Sequence, residues 1–258
     1  MSERKLVAIE ELEKKYFKKM LDIFQNKDNV EYIKKNLEKI KNRCKIIPNY
    51  KPVNILQKTW QELMRYILFK SAIQYGWDPA LFPASADMCL ETADCFLNFD
   101  VKTVASYDSD AKGRIQTEPP QVRYPGNKTP IKMVKEGQHQ GKTVIYAGPS
   151  FPTEIDKKIT TTFFLQSSWD ERENQVQIVN STLNLIPNGL LMSRYGDLID
   201  SFKDEGSKSC GCELSNKDEE IHSDYHLLKK TARFNVGKFK EPKFTKDWSR
   251  SEQLPDYN

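Results

Sequence analysis

The sequence has few histidines and lacks the glycine-rich loops that bind nucleotides, and these absences exclude several classes of enzyme. Only three histidines occur in 258 residues, and none has a serine or cysteine partner in a pattern typical of nucleophilic catalysis. The Gly-x4-Gly-Lys-Ser/Thr and Gly-x-Gly-x-x-Gly loops are both missing. The sequence therefore argues against covalent hydrolase chemistry and against ATP-driven chemistry.

Long hydrophobic runs are also lacking, and there is no segment resembling a signal peptide. The longest apolar stretches are much shorter than the roughly 18 residues of a transmembrane helix. The five cysteines are odd in number and irregularly spaced, which indicates reduced thiols and not a disulfide framework. We therefore expect a cytoplasmic protein with no membrane partner.

The composition is that of a polar protein with enough apolar residues for a core. Hydrophobic residues make up 38% and charged residues 29%, with a formal net charge of +4. This excess of positive charge is far smaller than that of a purely basic tail. Basic surfaces partly cancelled by an acidic site would give such a balance, in one large domain or two small ones.

Hydrophobic periodicity divides the chain into a helical first third and a strand-rich middle. Three helices are predicted over residues 4–26, 29–43 and 55–75, and Gly76 is expected to end the third. A polar loop rich in proline and glycine is predicted between the first two strands, over residues 108–142. The predicted strands cover residues 94–104, 143–147, 161–167 and 175–180.

Two acids and a lysine occur together around the first of these strands. Alternate side chains of a strand point to the same face, so Asp100 and Lys102 should lie side by side. Asp87 follows a proline-containing turn, and it can reach them if residues 87–94 form a neighbouring strand or turn.

These residue types suit the hydrolysis of phosphodiesters. Two carboxylates, Asp87 and Asp100, can hold a hard divalent cation such as Mg2+, and the carbonyl of Val101 could be a further ligand. The lysine, Lys102, could orient the attacking water and offset negative charge in the transition state. The Asp-x-Lys tripeptide by itself is equally compatible with an ordinary ion pair on a surface strand.

The surrounding residues strengthen the catalytic interpretation, because two segments resemble a known motif. Residues 82–87 resemble the turn that carries the first acid of the PD-(D/E)xK nucleases, although Ala86 replaces the proline directly before the acid. Residues 98–104 resemble the strand that carries the second acid and the lysine. The similarity is to the EcoRV-like type II restriction endonucleases, and it extends in patches over residues 80–240.

The resemblance implies an α/β fold, with a mixed central β-sheet flanked by helices and preceded by N-terminal helices. We expect a single endonuclease domain over residues 1–258, with the catalytic and DNA-recognition core in 80–240. The N-terminal helical region, residues 1–50, is expected to form a dimer interface or to embrace DNA. The resemblance also implies an auxiliary role in metal binding or structure for Glu62, although a solvated glutamate is the alternative.

Two polar segments contain candidate DNA-binding residues, since cationic and amide side chains contact phosphates and base edges. By resemblance, Arg233 corresponds to an arginine that reads guanine. The candidates in the loop are Lys112, Arg114, Gln121, Arg123, Asn127 and Lys128. Those near the C-terminus are His222, Asp224, His226, Lys229 and Arg233.

The function implied is that of a bacterial type II restriction endonuclease. It would use Mg2+ to cut both strands of double-stranded DNA at a short palindrome, interrupted or continuous, and leave 5′-phosphates. Two-fold symmetry of the site implies a homodimer. A cognate DNA methyltransferase would be the functional partner in the same restriction-modification system.

Two alternatives remain open from the sequence. One is a repair or mobile-element nuclease with the same catalytic residues and little sequence preference. The other is a DNA-binding regulator without catalysis, in which two cysteines and two histidines hold a structural zinc ion. Its ligands would be Cys210, Cys212, His222 and His226.

Overall fold

A computed structural model of the chain gives the arrangement of its helices and strands. The structure describes residues 2–43, 52–80, 86–108, 111, 114–117, 154–155, 157–172, 175–195, 199–204, 230–235 and 249–257.

The three helices predicted from the hydrophobic periodicity are present. They are α1 (Glu3–Gln25), α2 (Lys27–Arg43) and α3 (Pro52–Tyr75). The side chain of Asn26 accepts hydrogen bonds from the first backbone amides of α2, which starts that helix immediately after α1. Gly76 has a φ of 65°, a conformation that favours glycine, and it ends α3 as predicted.

The main sheet has seven strands and is mixed. Its strands are β1 (Asp78–Pro79), β2 (Met88–Glu91), β3 (Cys95–Ala105), β5 (Glu154–Ile155), β6 (Lys158–Arg172), β7 (Gln175–Ile186) and β10 (Ser251–Gln253). Neighbouring strands run in the order β1, β2, β3, β6, β7 and β10, with β5 pairing separately with β6. Strands β3 and β6 are parallel, and the other pairs are antiparallel.

A second, antiparallel sheet has three strands. Strand β9 (Lys230–Asn235) lies in its centre, between β4 (Arg114–Thr117) and β8 (Ile199–Asp204). The prediction that residues 108–142 form a loop is therefore wrong at Arg114–Thr117, which form β4. That strand is only four residues long, and its partner comes from a distant part of the sequence. The local pattern could not reveal it.

The other strand predictions are confirmed where the structure describes the residues. Residues 94–104, 161–167 and 175–180 correspond to β3, β6 and β7. The strand predicted at 143–147 lies outside the described residues. A 3-10 turn (Gly189–Leu191) and the short helix α4 (Met192–Tyr195) follow β7.

The helices pack on one face of the main sheet and form the hydrophobic core there. Trp60 and Phe24 are completely buried in this core together with Leu97 and Phe99 of β3. The rings of Phe24 and Phe99 stack with their centroids 5.6 Å apart. Burial of each such side chain contributes about 1.5–3 kcal/mol, so one face of β3 is committed to holding the helices.

The opposite face of β3 has a different composition, because side chains alternate along a strand. It carries Phe96, Asn98, Asp100 and Lys102. The helical layer is thus what directs these polar residues away from the core. We call this surface of the main sheet the polar face.

The N-terminal helices belong to the same hydrophobic core as the sheet. Phe17 and Met20 of α1 and Ile33 and Leu37 of α2 are buried in it. The additional role expected for residues 1–50, in a dimer interface or in embracing DNA, stays a prediction, as does the division into regions. None of the helices in the described part of the chain is both long and apolar enough to cross a membrane.

Candidate active site

Strand β3 holds the second predicted acid and the lysine next to each other. Lys102 Nζ lies 3.4 Å from Asp100 Oδ2. The Asp100 side chain is only 5% exposed, whereas that of Lys102 is 25% exposed. The acid is therefore inside the protein and the lysine reaches towards solvent.

The first predicted acid, Asp87, lies against the same strand. Met88 pairs with Phe99 in the antiparallel register of β2 and β3, so the preceding residue is opposite Asp100. Asp87 Oδ2 accepts a hydrogen bond of 2.8 Å from the backbone N–H of Val101. The structure thus brings the three side chains together, and the condition that residues after Asp87 form a neighbouring strand is met by β2.

A residue that the sequence analysis missed also contacts this acid. The Gln61 side-chain amide, on α3, donates a hydrogen bond to Asp87 Oδ1. Both carboxylate oxygens of Asp87 therefore have a donor, one from a helix and one from a strand. This double support fixes the orientation of the carboxylate.

Glu62 is not brought to the two acids. Its side chain is 67% exposed and lies 3.1 Å from Arg65 on the same helix. Adjacent helical residues point about 100° apart, and Gln61 is the one that borders the buried stripe of α3. The apolar residues Trp60 and Met64 mark the buried side of α3, and their positions in the sequence could have predicted that Gln61 lies closer to the sheet than Glu62. The auxiliary role of Glu62 stays a prediction.

The electrostatics of the site favour a bound cation. The pKa of Asp100 is raised to about 7, mainly by burial; the nearby negative charge of Asp87 also raises this pKa, and Lys102 opposes the shift. Asp100 Oδ2 is buried, and within the described part of the chain no group donates a hydrogen bond to it. The ammonium of Lys102, 3.4 Å from this oxygen, is its ion-pair partner.

A hard divalent cation fits this set of donors. Mg2+ is usually bound through one or two carboxylates and keeps several waters. Burial and the neighbouring Asp87 disfavour the ionised form of Asp100, and a bound cation would stabilise that form. No group of three or more His, Cys, Asp or Glu side chains that could hold a metal occurs among the described residues. The carbonyl of Val101 as a third ligand stays a prediction.

Two predicted DNA-contact residues, Arg114 and Arg233, lie in the second sheet. In the register of β4 and β9, Arg114 is opposite Asn235 and Gln116 is opposite Arg233. Directly opposed residues share a face, and so do residues two apart in a strand. The backbone therefore puts Arg114, Gln116, Arg233 and Asn235 on one face of this sheet.

The remaining sequence-based candidates are residues that the structure does not describe. These residues lie outside the described part of the chain: Lys112, Gln121, Arg123, Asn127, Lys128, Cys210, Cys212, His222, Asp224, His226 and Lys229.

The sequence family assigns the chain to the type II restriction enzymes. Residues 5–174 match the family model described as type II restriction enzyme MwoI, N-terminal domain, and the chain belongs to this family. No curated protein sequence matches the chain.

Comparison with solved structures confirms the predicted α/β fold through BglI. The restriction endonuclease BglI, bound to its DNA recognition sequence, is similar over 99% of this chain and 98% of its own, with a TM-score of 0.50 and 16% identity. The tetrameric restriction endonuclease SfiI, bound to cognate DNA, covers 98% of this chain and 85% of its own, with a TM-score of 0.49 and 14% identity. At 16% identity, the likeness to BglI establishes the α/β fold alone.

Proposed function

We propose that the chain is a Mg2+-dependent, site-specific deoxyribonuclease that cuts both strands of double-stranded DNA at a short palindrome, interrupted or continuous, and leaves 5′-phosphates. One observation carries the proposal. Two carboxylates, Asp87 and Asp100, converge with Lys102 on one face of the sheet, and one carboxylate oxygen is buried without a hydrogen-bond donor among the described residues.

The catalytic residues have distinct roles in this proposal. Asp87, Asp100 and the carbonyl of Val101 would hold Mg2+, which when bound polarises a phosphoryl oxygen and lowers the pKa of a water. Lys102 orients the attacking water and offsets negative charge on the scissile phosphate. Its Nζ lies 3.4 Å from Asp100 Oδ2 and is partly exposed, which supports a role on the side of the DNA. Gln61 keeps the Asp87 carboxylate in position.

Sequence recognition is assigned to the second sheet and to the polar segments around it. Arginine can bind guanine through two hydrogen bonds, and glutamine or asparagine can bind adenine in the same way. The shared face of Arg114, Gln116, Arg233 and Asn235 supports this assignment, with Arg233 contacting a guanine. A homodimer would present two such faces and two active sites to a two-fold symmetric site, with a cognate methyltransferase protecting the host DNA.

Plasmid digestion with and without Mg2+ tests the proposal. The wild-type chain should produce discrete fragments only with the cation, and Asp100→Ala and Lys102→Ala should each lower the cleavage rate by at least about 10²-fold. Persistent cutting by both variants would refute the assignment. A smear of fragments would favour the low-specificity nuclease.

A second acid and cation on the same sheet provide a matched control. Asp170 and Arg172 are also two residues apart on a strand, with Arg172 Nε 3.6 Å from Asp170 Oδ2, but their side chains are 35% and 59% exposed. Asp170→Ala should cut like the wild type. Sequencing the fragment ends then gives the site, the cut position and its symmetry. Metal analysis of the purified protein tests the zinc-containing regulator.

A further inference from the structure

Asn98 has an unusual environment on the polar face of the sheet. It precedes Asp100 by two residues on β3 and is 1% exposed. Its Oδ1 is buried, and no hydrogen-bond donor for it occurs in the described ranges of the chain. Asp100 Oδ2 is in the same condition. Two neighbouring oxygen acceptors thus point from the same face of one strand, and both lack a donor among the described residues.

An acceptor that is buried without a donor costs free energy, and native proteins contain few of them. The residues directly opposite Asn98 are Cys89 on β2 and Thr162 on β6. Neither donates a hydrogen bond to Oδ1 in the structure. A requirement other than stability is therefore the natural explanation for an amide at this position.

A second asparagine on the same face shows how this fold satisfies a buried amide. Asp100 on β3 is opposite Phe164 on β6, and Phe164 is opposite Asn184 on β7. The side chain of Asn184 is completely buried. Its Oδ1 accepts a hydrogen bond of 2.7 Å from Ser251, and its Nδ2 donates one of 3.0 Å to the carbonyl of Thr182. Asn184 is a structural amide, and Asn98 lacks the equivalent of the Ser251 donor among the described residues.

The spacing along β3 defines what Asn98 could reach. The Cα atoms of residues two apart on one face of a strand are about 6.6 Å apart, so the Asn98 amide lies beside Asp100 without having to be a direct ligand of an ion held there. One water between the amide and the ion would close the distance, and Mg2+ and similar cations keep several waters when bound. Lys102 lies on the other side of Asp100 along the strand, so the two residues would flank the ion.

We propose that Asn98 is a positioning residue of the cleavage site, whose Oδ1 accepts a hydrogen bond from a water held by the divalent cation between Asp87 and Asp100. This inference rests on the proposed function. In this arrangement the partly exposed Lys102 faces the bound DNA, and the buried Asn98 contacts the ion's water from within the protein. Such outer contacts orient the waters and strengthen metal binding.

The test measures Mn2+ binding to the full chain without DNA, by titration calorimetry, together with thermal unfolding in EDTA. Asn98→Leu should weaken Mn2+ binding by about tenfold while its Tm in EDTA stays at or above that of the wild type, because a buried acceptor has been removed. Asn98→Asp, which retains an oxygen acceptor, should bind Mn2+ at least as tightly as the wild type. The control Asn184→Leu should show the reverse pattern, a lower Tm with Mn2+ affinity within about twofold of wild type.

Two results would overturn the inference. Either Asn98→Leu binds Mn2+ like the wild type, or it loses Tm in EDTA as Asn184→Leu does, which would make Asn98 structural. If Asn98→Leu does not fold, weaker Mn2+ binding by Asn98→Asp refutes the inference instead. A wild-type chain that binds Mn2+ but never cuts DNA refutes the proposed function alone. The Mn2+ affinities of the Asn98 variants still decide whether Asn98 positions a water of the bound cation.

Discussion

Glu13 and Asp100 are both buried carboxylates, yet their surroundings differ in how completely the charge is matched. Glu13 Oε2 lies 2.6 Å from Arg250 Nη2, and both side chains are 0% exposed. Glu13 Oε1 also accepts a hydrogen bond of 2.6 Å from the backbone of Asn188. Asp100 has only the more distant, partly exposed Lys102 and an adjacent acid.

The difference indicates what each carboxylate is for. The Glu13–Arg250 pair joins α1 to the segment before β10, and the Arg250 guanidinium also lies over the ring of Tyr195 at 4.4 Å. The Glu13–Arg250 pair is inaccessible to solvent and connects a helix near the N-terminus to a segment near the C-terminus. At the Asp87–Asp100 site two acids face one partly exposed lysine, which is the charge balance expected of the proposed cation site.

Breaking the closed pair should have the largest effect on stability. Arg250→Met leaves the Glu13 carboxylate buried without its cation, and removal of one partner of such a pair costs about 3–5 kcal/mol. The free energy of unfolding from denaturant titration measures this loss. The double variant Glu13→Gln with Arg250→Met should recover most of it, since no charge then remains buried. Equal stability of the single and double variants would contradict this account.

Replacing Asp100 by a neutral side chain should raise the free energy of unfolding, whereas breaking the Glu13–Arg250 pair lowers it. Burial and Asp87 raise the pKa of Asp100 to about 7, above its value in the unfolded chain. The stabilising contribution of the protonated form is therefore complete below pH about 4 and is lost as the pH rises to about 7. In EDTA at pH 8, Asp100→Asn should raise the unfolding free energy by on the order of 1–3 kcal/mol; in a separate assay with Mg2+, the same variant should not cut DNA.

The pH dependence sharpens this test. The difference in unfolding free energy between Asp100→Asn and wild type in EDTA should be larger at pH 8 than at pH 5. A difference that is constant between these pH values would show that Asp100 does not titrate in this range. Saturating Mg2+ should reduce the advantage of the variant, because the cation binds only the wild-type carboxylate.

The smallest effects are expected around Asp87. Gln61→Leu removes the amide that orients the Asp87 carboxylate and should slow cleavage by about tenfold. Glu62→Leu, at the exposed neighbouring position of α3, should change the rate by less than about twofold. Single-turnover cleavage at saturating Mg2+ measures both. A slower Glu62→Leu variant would instead support the auxiliary role that the resemblance implies for Glu62.

The long elements of the fold were predictable because each carries its own periodic pattern. This holds for α1–α3 and for β3, β6 and β7, and the Asp-x-Lys tripeptide on β3 located the site. The short strands were not predictable, since β4 and β10 are stabilised by partners far away in the sequence. The same limit applies to Glu13, whose position on the buried side of α1 is visible but whose partner, Arg250, lies near the other end of the chain.

Strand β3 constrains how this protein can change, because its two sides serve different purposes. Leu97 and Phe99 hold the helices, and the intervening positions carry Asn98 and Asp100. Deleting a single residue here would exchange the two sides, so that Leu97 and Phe99 would leave the hydrophobic core and Asn98 and Asp100 would enter it. Insertions and deletions should therefore be excluded from this strand, whereas the three-stranded sheet, to which we assign DNA recognition only as a proposal, is free of this constraint.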